Sequence, residues 1–362
     1  MHTFAHVCNL QSMQEKPTIK DIARALNIHH ATVSRALRGD SRISGETRKK
    51  VMDYAATIGY VVNQNALNFR NKTINNIAVI VPNISHNIFS SFISLITDLA
   101  NKEGLTVSVF QSKEQFDIEA KVIKTIVRQR VGGVIASISN ETRNGKHFEG
   151  LRKFGIPLVF FDRVCEDLNT SRVLVDNYEG ALQAVNYLID RGYSRIAHLT
   201  GQQAINVFRE RHQGYLKGIE LAGLTYKESI IIEKDFEIAD GEQALLTLWN
   251  KEEKPDAIFC DSFVLSAGVI KQCRQSGIQL PDELAMLTIT NDPYSSLLIP
   301  SQTVLEQPLE ELAASAFELL MNAMNEDGSQ PEIEIRHHAF RLIERESVKD
   351  RLKINGQWTM DS

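Results

Sequence analysis

Residues 18–37 read TIKDIARALNIHHATVSRAL, and this stretch decides the fold of the first part of the chain. Thr18 and Asp21 have the spacing of a capping box, with Asp in place of the usual Glu or Gln, so a helix begins here. Apolar residues recur at helical spacing up to Asn27, and asparagine tolerates the left-handed backbone of a tight turn. A second short helix follows over residues 31–37. The pattern predicts two helices joined by a tight turn.

A third helix is predicted shortly afterwards. Ser44 opens it in the motif Ser-Gly-Glu-Thr, apolar residues between Val51 and Ile58 share one face, and Gly59 closes it. Three short helices with a tight first turn form a helix-turn-helix unit, whose second helix enters the major groove of DNA with its N-terminal end first. A generic three-helix bundle with a capped start is the alternative interpretation.

Side chains that suit DNA lie in and before the second helix. Arginine can bind guanine through two hydrogen bonds, histidine can donate to or accept from base edges, and threonine and serine hydroxyls suit phosphate groups. The residues with these properties are Thr18, His29, His30, Thr32, Ser34 and Arg35.

Residues 17–60, the head, resemble the DNA-binding domain of LacI/GalR-family bacterial regulators. The resemblance rests on TIKDIAR at 18–24, ATVSRAL at 31–37, SGETR at 44–48 and the pair Gly59-Tyr60. It implies that His30, Ala31 and Arg35 face base edges, where the short side chain of Ala31 suits a thymine methyl group.

Residues 61–73 follow as the hinge. By the same resemblance, Asn63 and Ala66 match the family, Phe69 stands where the family has a minor-groove leucine, and Val62 stands where it has proline. In the family this segment becomes a helix when two subunits meet on DNA, and phenylalanine can serve as the wedge between bases. A plain linker, with Phe69 against the body, is the alternative. Asn63, Ala66 and Phe69 join the predicted DNA contacts.

Strand-like apolar runs alternate with amphipathic helical stretches after residue 74. This alternation predicts doubly wound parallel sheets, in which ligands bind beyond the carboxyl ends of the strands. The resemblance extends motif by motif over this part, and it implies the periplasmic-binding-protein-like fold of two lobes with an effector in the cleft. The predicted fold class is therefore a small all-α helix-turn-helix head followed by a two-lobed α/β body.

The predicted boundaries follow from these patterns. They are a disordered extension over 1–16, the head over 17–60, the hinge over 61–73, the body over 74–346 and a C-terminal tail over 347–362. Within the body, the first lobe is predicted to comprise about 74–162 and 292–324, and the second lobe about 163–291 and 325–346.

Effector contacts are predicted where the strands of the body end, on positions that match family motifs. Asn83 and His86 offer hydrogen bonds, and Phe89 offers a stacking face or belongs to the core. The carboxylate of Asp162 suits sugar hydroxyls or an interlobe salt bridge. Arg211 lies in an RxxG-aromatic motif and offers a planar fork to hydroxyls or carboxylates, unless it forms a structural salt bridge. The full predicted set is Asn83, His86, Phe89, Asp162, Arg163, Arg211 and Asn291.

Two positions depart from the family. Ser262-Phe263 stands where an Asn-Asp pair is usual, and Thr290-Asn291 stands where two acidic residues are usual. Asp261 lies two residues before the expected acid and is the one candidate to replace it. The loss of acidic groups argues against a simple hexose as effector and favours an apolar or aromatic group near Phe263.

Charge is segregated along the chain. Residues 17–72 carry ten Lys and Arg against four Asp and Glu, a net charge of +6. Residues 73–362 carry 29 against 40, a net charge of −11. A basic head on an acidic body is typical of a protein that binds a polyanion through its head.

Composition excludes several classes of protein. Four scattered cysteines without a CxxC spacing argue against a disulfide scaffold and a zinc site, and the chain has no long apolar run and no signal sequence. The motifs of nucleotide-binding and hydrolytic enzymes are absent, so no enzyme, cofactor or metal is predicted. We predict a cytoplasmic, homodimeric repressor that binds palindromic double-stranded DNA and a small-molecule effector, a sugar or sugar-derived metabolite. A soluble small-molecule receptor without a DNA role is the alternative, and a doubly wound enzyme is a second one.

Overall fold

The structure, a computed structural model, describes residues 17–37, 40–60, 75–290, 292–325 and 332–352. It separates the chain into two units, Met1–Ile74 and Asn75–Ser362. The predicted extension, the hinge with Asn63, Ala66 and Phe69, the effector candidate Asn291 and most of the predicted tail lie outside the described residues.

The head consists of helices α1 (Ile19–Ala25), α2 (His30–Leu37) and α3 (Gly45–Thr57). Their inner faces meet at Ile22, Val33 and Val51, which are fully buried. These positions are the apolar ones of the helical pattern, so burial of one face of each short helix stabilises the unit.

Local hydrogen bonds decide where the helices of the head begin and turn. The Asp21 carboxylate accepts from the Thr18 amide (2.9 Å) and the Thr18 hydroxyl (2.6 Å) at the start of α1, and these bonds lower the pKa of Asp21. Asn27 adopts a φ of 49° in the turn before α2. The Ser44 hydroxyl accepts from the Thr47 amide (3.3 Å) and caps α3.

The body alternates strands and helices. Its strands are β1 (Asn76–Val81), β2 (Thr106–Gln111), β3 (Val134–Ala136), β4 (Leu158–Phe161), β5 (Ser171–Val175), β6 (Ile196–Gly201), β7 (Glu228–Ile232), β8 (Ala257–Cys260), β9 (Ala285–Ile289), β10 (Thr303–Glu306), β11 (Ile335–His338) and β12 (Arg341–Ile343). Its helices are α4 (Asn87–Lys102), α5 (Phe116–Gln129), α6 (Glu149–Lys153), α7 (Asn177–Ile189), α8 (Asn206–Leu221), α9 (Ile238–Trp249), α10 (Phe263–Ser276) and α11 (Leu309–Asn325), with 3-10 helices at Lys146–Phe148 and Pro293–Ser296.

The strands form two six-stranded sheets, one in each lobe. The order is β11-β5-β4-β3-β1-β2 in the first lobe and β12-β10-β9-β8-β6-β7 in the second. Every strand pair that the structure describes is parallel except β10 with β12. Strand β1 is fully buried from Ile77 to Val81, as expected for a parallel strand covered on both faces. The predicted fold class is confirmed.

The division of the chain between the lobes differs from the prediction. Strand β5 pairs with β4, and β11 pairs with β5, so both belong to the first lobe and not to the second. Strand β10 pairs with β9 and belongs to the second lobe and not to the first. The predicted boundaries at 162/163, 291/292 and 324/325 are therefore wrong, because sheet membership depends on pairing between distant segments and not on the motif where a strand ends.

Within the described residues, the chain passes between the lobes three times. The passages lie between β5 and α7, between β10 and α11, and between β11 and β12. Helix α7 packs against α8 of the second lobe, whereas α11 packs against α4 and β4 of the first. Segments that follow the carboxyl ends of β1, β4, β8 and β9 line one cavity, which is where a parallel α/β fold binds ligands.

Candidate nucleic-acid interface and ligand cleft

Helix α2 exposes the predicted DNA-contacting side chains on the side away from the core. Val33 and Ala36 are buried, whereas His29, His30 and Arg35 are exposed. Ala31, Thr32 and Ser34 are half-buried between these two sets. The start of α2 therefore presents the residue types that read base edges to solvent.

The two histidines at this helix start are held together. The His29 and His30 ring centroids lie 4.1 Å apart, and His29 Nδ1 accepts from the Ala31 amide at 3.3 Å. Thr18, predicted to contact phosphate, donates its hydroxyl to Asp21 instead. In this structure Thr18 therefore acts first as the cap of α1.

Acidic residues of the head neutralise some of its cations and leave others without a partner. Arg24 pairs with Asp21, Arg42 with Asp40 and Lys50 with Glu46. Arg42 donates to both carboxylate oxygens of Asp40 and holds the pKa of that carboxyl far below its usual range. Among the described residues, Lys20, Arg35 and Lys49 form no ion pair within 4.0 Å. These three cations keep their charge for an external anion.

A cavity of about 110 Å³ lies between the two lobes of the body. Five of the predicted effector contacts line it, namely His86, Phe89, Asp162, Arg163 and Arg211. Asn83 does not line the cavity, because its side chain is engaged with the opposite lobe at the cleft.

Asp162 is held at the cavity wall in an unusual backbone conformation. It has a φ of 59° and is buried, and its amide donates to the Val173 carbonyl at 3.1 Å. Its own carbonyl accepts from the Asn206 side chain at 3.1 Å. The carboxylate has a long contact of 3.5 Å with the Gln307 amide nitrogen. Asp162 thus keeps hydrogen-bonding capacity for a ligand.

Arg163 is locked inside the first lobe. Its Nη1 donates to both carboxylate oxygens of Glu114 (2.9 and 3.0 Å) and to Asn140 Oδ1 (3.1 Å). Burial opposes the charged guanidinium, but the charges of Glu114 and Asp162 and the hydrogen bond to Glu114 together outweigh burial, so the pKa of Arg163 is raised. Its buried Nε has no hydrogen-bond partner. The described hydrogen bonds of Arg163 start from Nη1, so Nε and Nη2 remain as donors for a ligand.

Arg211 is buried at the cavity without an acidic partner. Its Nε donates to Asn177 Oδ1 (2.8 Å), and its Nη1 donates to the Asp261 backbone carbonyl (3.3 Å). It forms no ion pair within 4.0 Å among the described residues, in contrast to Arg209 on the same helix, which pairs with Glu166 at 2.7 Å. A buried cation with only neutral acceptors is one that an anionic or carbonyl-bearing ligand can satisfy.

Phenylalanines form much of the cavity wall. Phe263 was predicted near the ligand, and Phe89, Phe208 and Phe236 line the cavity with it. The sequence reasoning missed Phe208 and Phe236. The signal for Phe208 is its spacing, since it precedes Arg211 by three residues and shares its helix face.

Asp261 does not replace the missing acids. Its carboxylate lies 3.1 Å from His198 Nε2 and accepts from the Thr200 hydroxyl at 2.6 Å, and its side chain is fully buried. These bonds use the carboxylate inside the second lobe. Asp261 therefore lines the cavity beside Phe263 with its carboxylate already bonded, and Asp292 is a further acidic residue of the lining.

Asp235, a residue that the sequence reasoning missed, joins the two lobes across the cleft. Its carboxylate accepts from Asn83 Nδ2 at 2.7 Å and lies 3.1 Å from His86 Nε2. Burial acts to raise the pKa of Asp235, but the hydrogen bonds from His86 and Asn83, together with the nearby charges of His86 and Arg163, outweigh burial and lower it. We call these three residues the interlobe latch. Asn83 and Asp235 lie about 150 residues apart in the chain, so no local sequence pattern indicated that they meet.

The described residues contain no group of three or more His, Cys, Asp or Glu side chains that could hold a metal ion. The adjacent His337 and His338 bond to different partners, Asp176 at 2.8 Å and Ser315 at 3.1 Å. In the same part of the chain, no helix is long and apolar enough to cross a bilayer.

Two family descriptions match the chain. The bacterial regulatory proteins of the lacI family match residues 18–63, and the periplasmic binding protein-like domain matches residues 185–348. Catabolite control protein A of Priestia megaterium is 29% identical over 92% of this chain and 99% of its own length. The transcriptional repressor CytR of Escherichia coli strain K12 is 28% identical over 85% of this chain and 89% of its own length.

Solved structures share the fold. A lac repressor dimer bound to operator and the anti-inducer ONPF has a TM-score of 0.78 at 20% identity, covering 92% of this chain and all of that one. A periplasmic binding protein/LacI transcriptional regulator from Alkaliphilus metalliredigens, complexed with D-xylulofuranose, has a TM-score of 0.67 at 27% identity, covering 76% and 99%.

Proposed function

Because the chain belongs to the LacI family of bacterial regulatory proteins, we propose that it is a homodimeric repressor whose hold on a palindromic operator is controlled by a small molecule in the interlobe cleft. It is a DNA-binding regulator of transcription. The observation that carries the proposal is the exposed face of α2, which places His30 and Arg35 outward on a head of net charge +4.

The test of the DNA site is selection of bound fragments from genomic DNA, followed by footprinting. We expect a protected palindrome, because two identical heads related by two-fold symmetry bind two identical half-sites. Failure to protect any palindrome at low salt would overturn the proposal. A soluble receptor without a DNA role would show this result.

Dimerisation has support in the second lobe. Tyr294, Leu297 and Ile299 are 64, 72 and 80% exposed within one short segment. Contiguous exposed apolar side chains are unfavourable in water and mark interaction surfaces. We assign this segment to the subunit interface, with sedimentation equilibrium as the test.

The effector that the cavity supports has an apolar face and a polar edge. Phe208, Phe236 and Phe263 offer the apolar contact, Arg211 offers a donor and Asp162 an acceptor. The volume of about 110 Å³ lies below the ~300–1,000 Å³ of typical ligand sites, which favours a small metabolite or an opening of the lobes. A compact sugar derivative with an apolar or acidic substituent fits this chemistry better than a simple hexose.

The experiment for the effector is calorimetric titration of metabolites made or used by genes next to the bound operator. We expect one class to bind and to change operator affinity, because allostery couples the two sites reciprocally. We assign no reaction to the cleft and place the protein in the cytoplasm, where its DNA is. Turnover of a bound ligand would contradict this assignment.

A further inference from the structure

The first lobe carries a second basic surface, separate from the head and the cleft. Residues 117–155 contain eight Lys and Arg against four Asp and Glu, a net charge of +4. The rest of residues 73–362 has a net charge of −15. The negative net charge of the body thus conceals a positive region, just as the negative net charge of the whole chain conceals the basic head.

Six exposed cations form this surface, which we call the basic face. They are Lys121, Lys124 and Arg128 of α5, Lys146 of the following 3-10 helix, and Arg152 and Lys153 of α6. None of the six forms an ion pair within 4.0 Å with a described residue, whereas cations elsewhere in the body, such as Lys251 and Lys271, do.

The cations of the basic face lie on helices that pack against each other. Lys121, Lys124 and Arg128 recur at helical spacing and share one side of α5. The opposite side of α5 is buried through Ile123 and Ile126, which pack in one core cluster with Leu151 of α6. The cations are therefore presented together on helices that contact each other.

Nearby acids neutralise the face only in part: Asp117, Glu141 and Glu149 are exposed in the same region, and the net charge of +4 already includes them. Glu119 is fully buried, where it accepts from the Ser139 amide (2.7 Å) and the Thr142 hydroxyl (2.7 Å). Glu114, just before this region, is occupied by Arg163. These two carboxylates are buried and bonded to groups of the lobe, so they do not pair with the cations of the basic face.

We propose that the basic face binds the phosphate backbone of the DNA that flanks the operator. This inference rests on the proposed function, because the heads must first hold DNA. Fourteen residues separate Tyr60 from Asn75, and fourteen residues span at most about 50 Å, or roughly 15 base pairs. Bound DNA is therefore kept at a high effective concentration near the first lobe. Exposed lysines and arginines without a surrounding pocket suit phosphates and not base edges.

The experiment compares two duplexes that contain the selected operator. The short duplex ends at the protected palindrome, and the long duplex adds about 20 base pairs of unrelated sequence on each side. We expect the full-length protein to bind the long duplex about tenfold more tightly at low salt, with a steeper dependence of log K on log salt. The triple variant Lys121→Gln, Lys124→Gln, Arg128→Gln should lose this advantage, and its salt slope should fall by up to about 5 per dimer.

The matched control is Lys102→Gln, Lys113→Gln, Lys227→Gln, which removes the same charge from exposed positions outside the face and should keep the advantage. Unchanged binding of the short duplex by the variant that lacks Lys121, Lys124 and Arg128 shows that the head and operator recognition are intact. If no variant binds either duplex, the proposed function has failed and not this inference alone.

Two outcomes would overturn the proposal. One is equal affinity of the wild-type protein for both duplexes. The other is an advantage that both triple variants lose equally.

Discussion

Arg211 is the residue on which effector affinity should depend most. We expect Arg211→Ala to weaken effector binding by about 2 kcal/mol, roughly thirtyfold, because a charge-assisted hydrogen bond is lost. Arg209→Ala is the matched control, since Arg209 lies on the same helix and pairs with Glu166 outside the cavity lining. Calorimetric titration measures both. Equal losses in the two variants would contradict the role of Arg211.

Arg35 and Lys49 divide base reading from phosphate binding in the head. Arg35→Ala should cost about 1–3 kcal/mol at one base pair of each half-site and relax the preference there. Lys49→Ala should weaken binding evenly across sequences and lower the salt slope. Lys49 is a better choice than Lys50, because Lys50 pairs with Glu46 at 2.8 Å. Binding to a set of operators with single base changes separates the two effects, and a Lys49→Ala loss confined to one base pair would contradict the assignment.

Residues of the site differ in how far the sequence could predict them. Arg211 and Asp162 lie in local motifs, so their place at strand and helix ends could be predicted. Asp235 has no such motif, because its role arises only when Asn83 and His86 of the other lobe meet it. The bonds from the Asp261 carboxylate to His198 and Thr200 could not be predicted either, because these two residues lie on a neighbouring strand that is distant in sequence.

At the scale of elements, the interlobe latch should decide how easily the cleft closes. Asp235→Asn should weaken effector binding about five- to thirtyfold, because a closed cleft is no longer held by a charged acceptor. The association rate should change less than the dissociation rate. Stopped-flow binding checks both rates, with Glu233→Gln, an exposed acid two residues away, as the control.

The latch also has a defined response to acid. The pKa of Asp235 is lowered in the closed cleft, so its contribution to closure is complete above the ordinary carboxyl pKa and is lost as the pH falls through the lowered value. Effector affinity that rises on acidification through this window would contradict the latch.

Helices and strands were largely predictable, whereas their grouping was not. Thr18, Asn27 and Ser44 mark the helices of the head through local chemistry. Strands of the body follow from short apolar runs. The assignment of β5, β10 and β11 to the correct lobe was not predictable, because register between distant strands leaves no local mark.

At the scale of the whole molecule, operator affinity should depend on dimerisation through the second lobe. We expect Leu297→Glu to shift the protein towards monomer and to reduce operator affinity about a hundredfold or more, because one head then binds without the other. Leu221→Glu is the control, since Leu221 is also exposed but lies at the end of α8. Sedimentation equilibrium and operator titration test the pair. A monomer with full operator affinity would contradict the proposal.

The position of β11 and β12 has a consequence for synthesis of the protein. Only two residues separate these strands, and each completes the edge of a different sheet. A ribosome has therefore released the head, and nearly all of both lobes, before either sheet receives its last strand. An mRNA truncated before codon 335 would yield a chain that has the complete head but lacks β11 and β12. Strands β5 and β10 would then be unpaired edge strands, which are templates for aggregation. Such a product would bind DNA without a response to the effector, or it would precipitate.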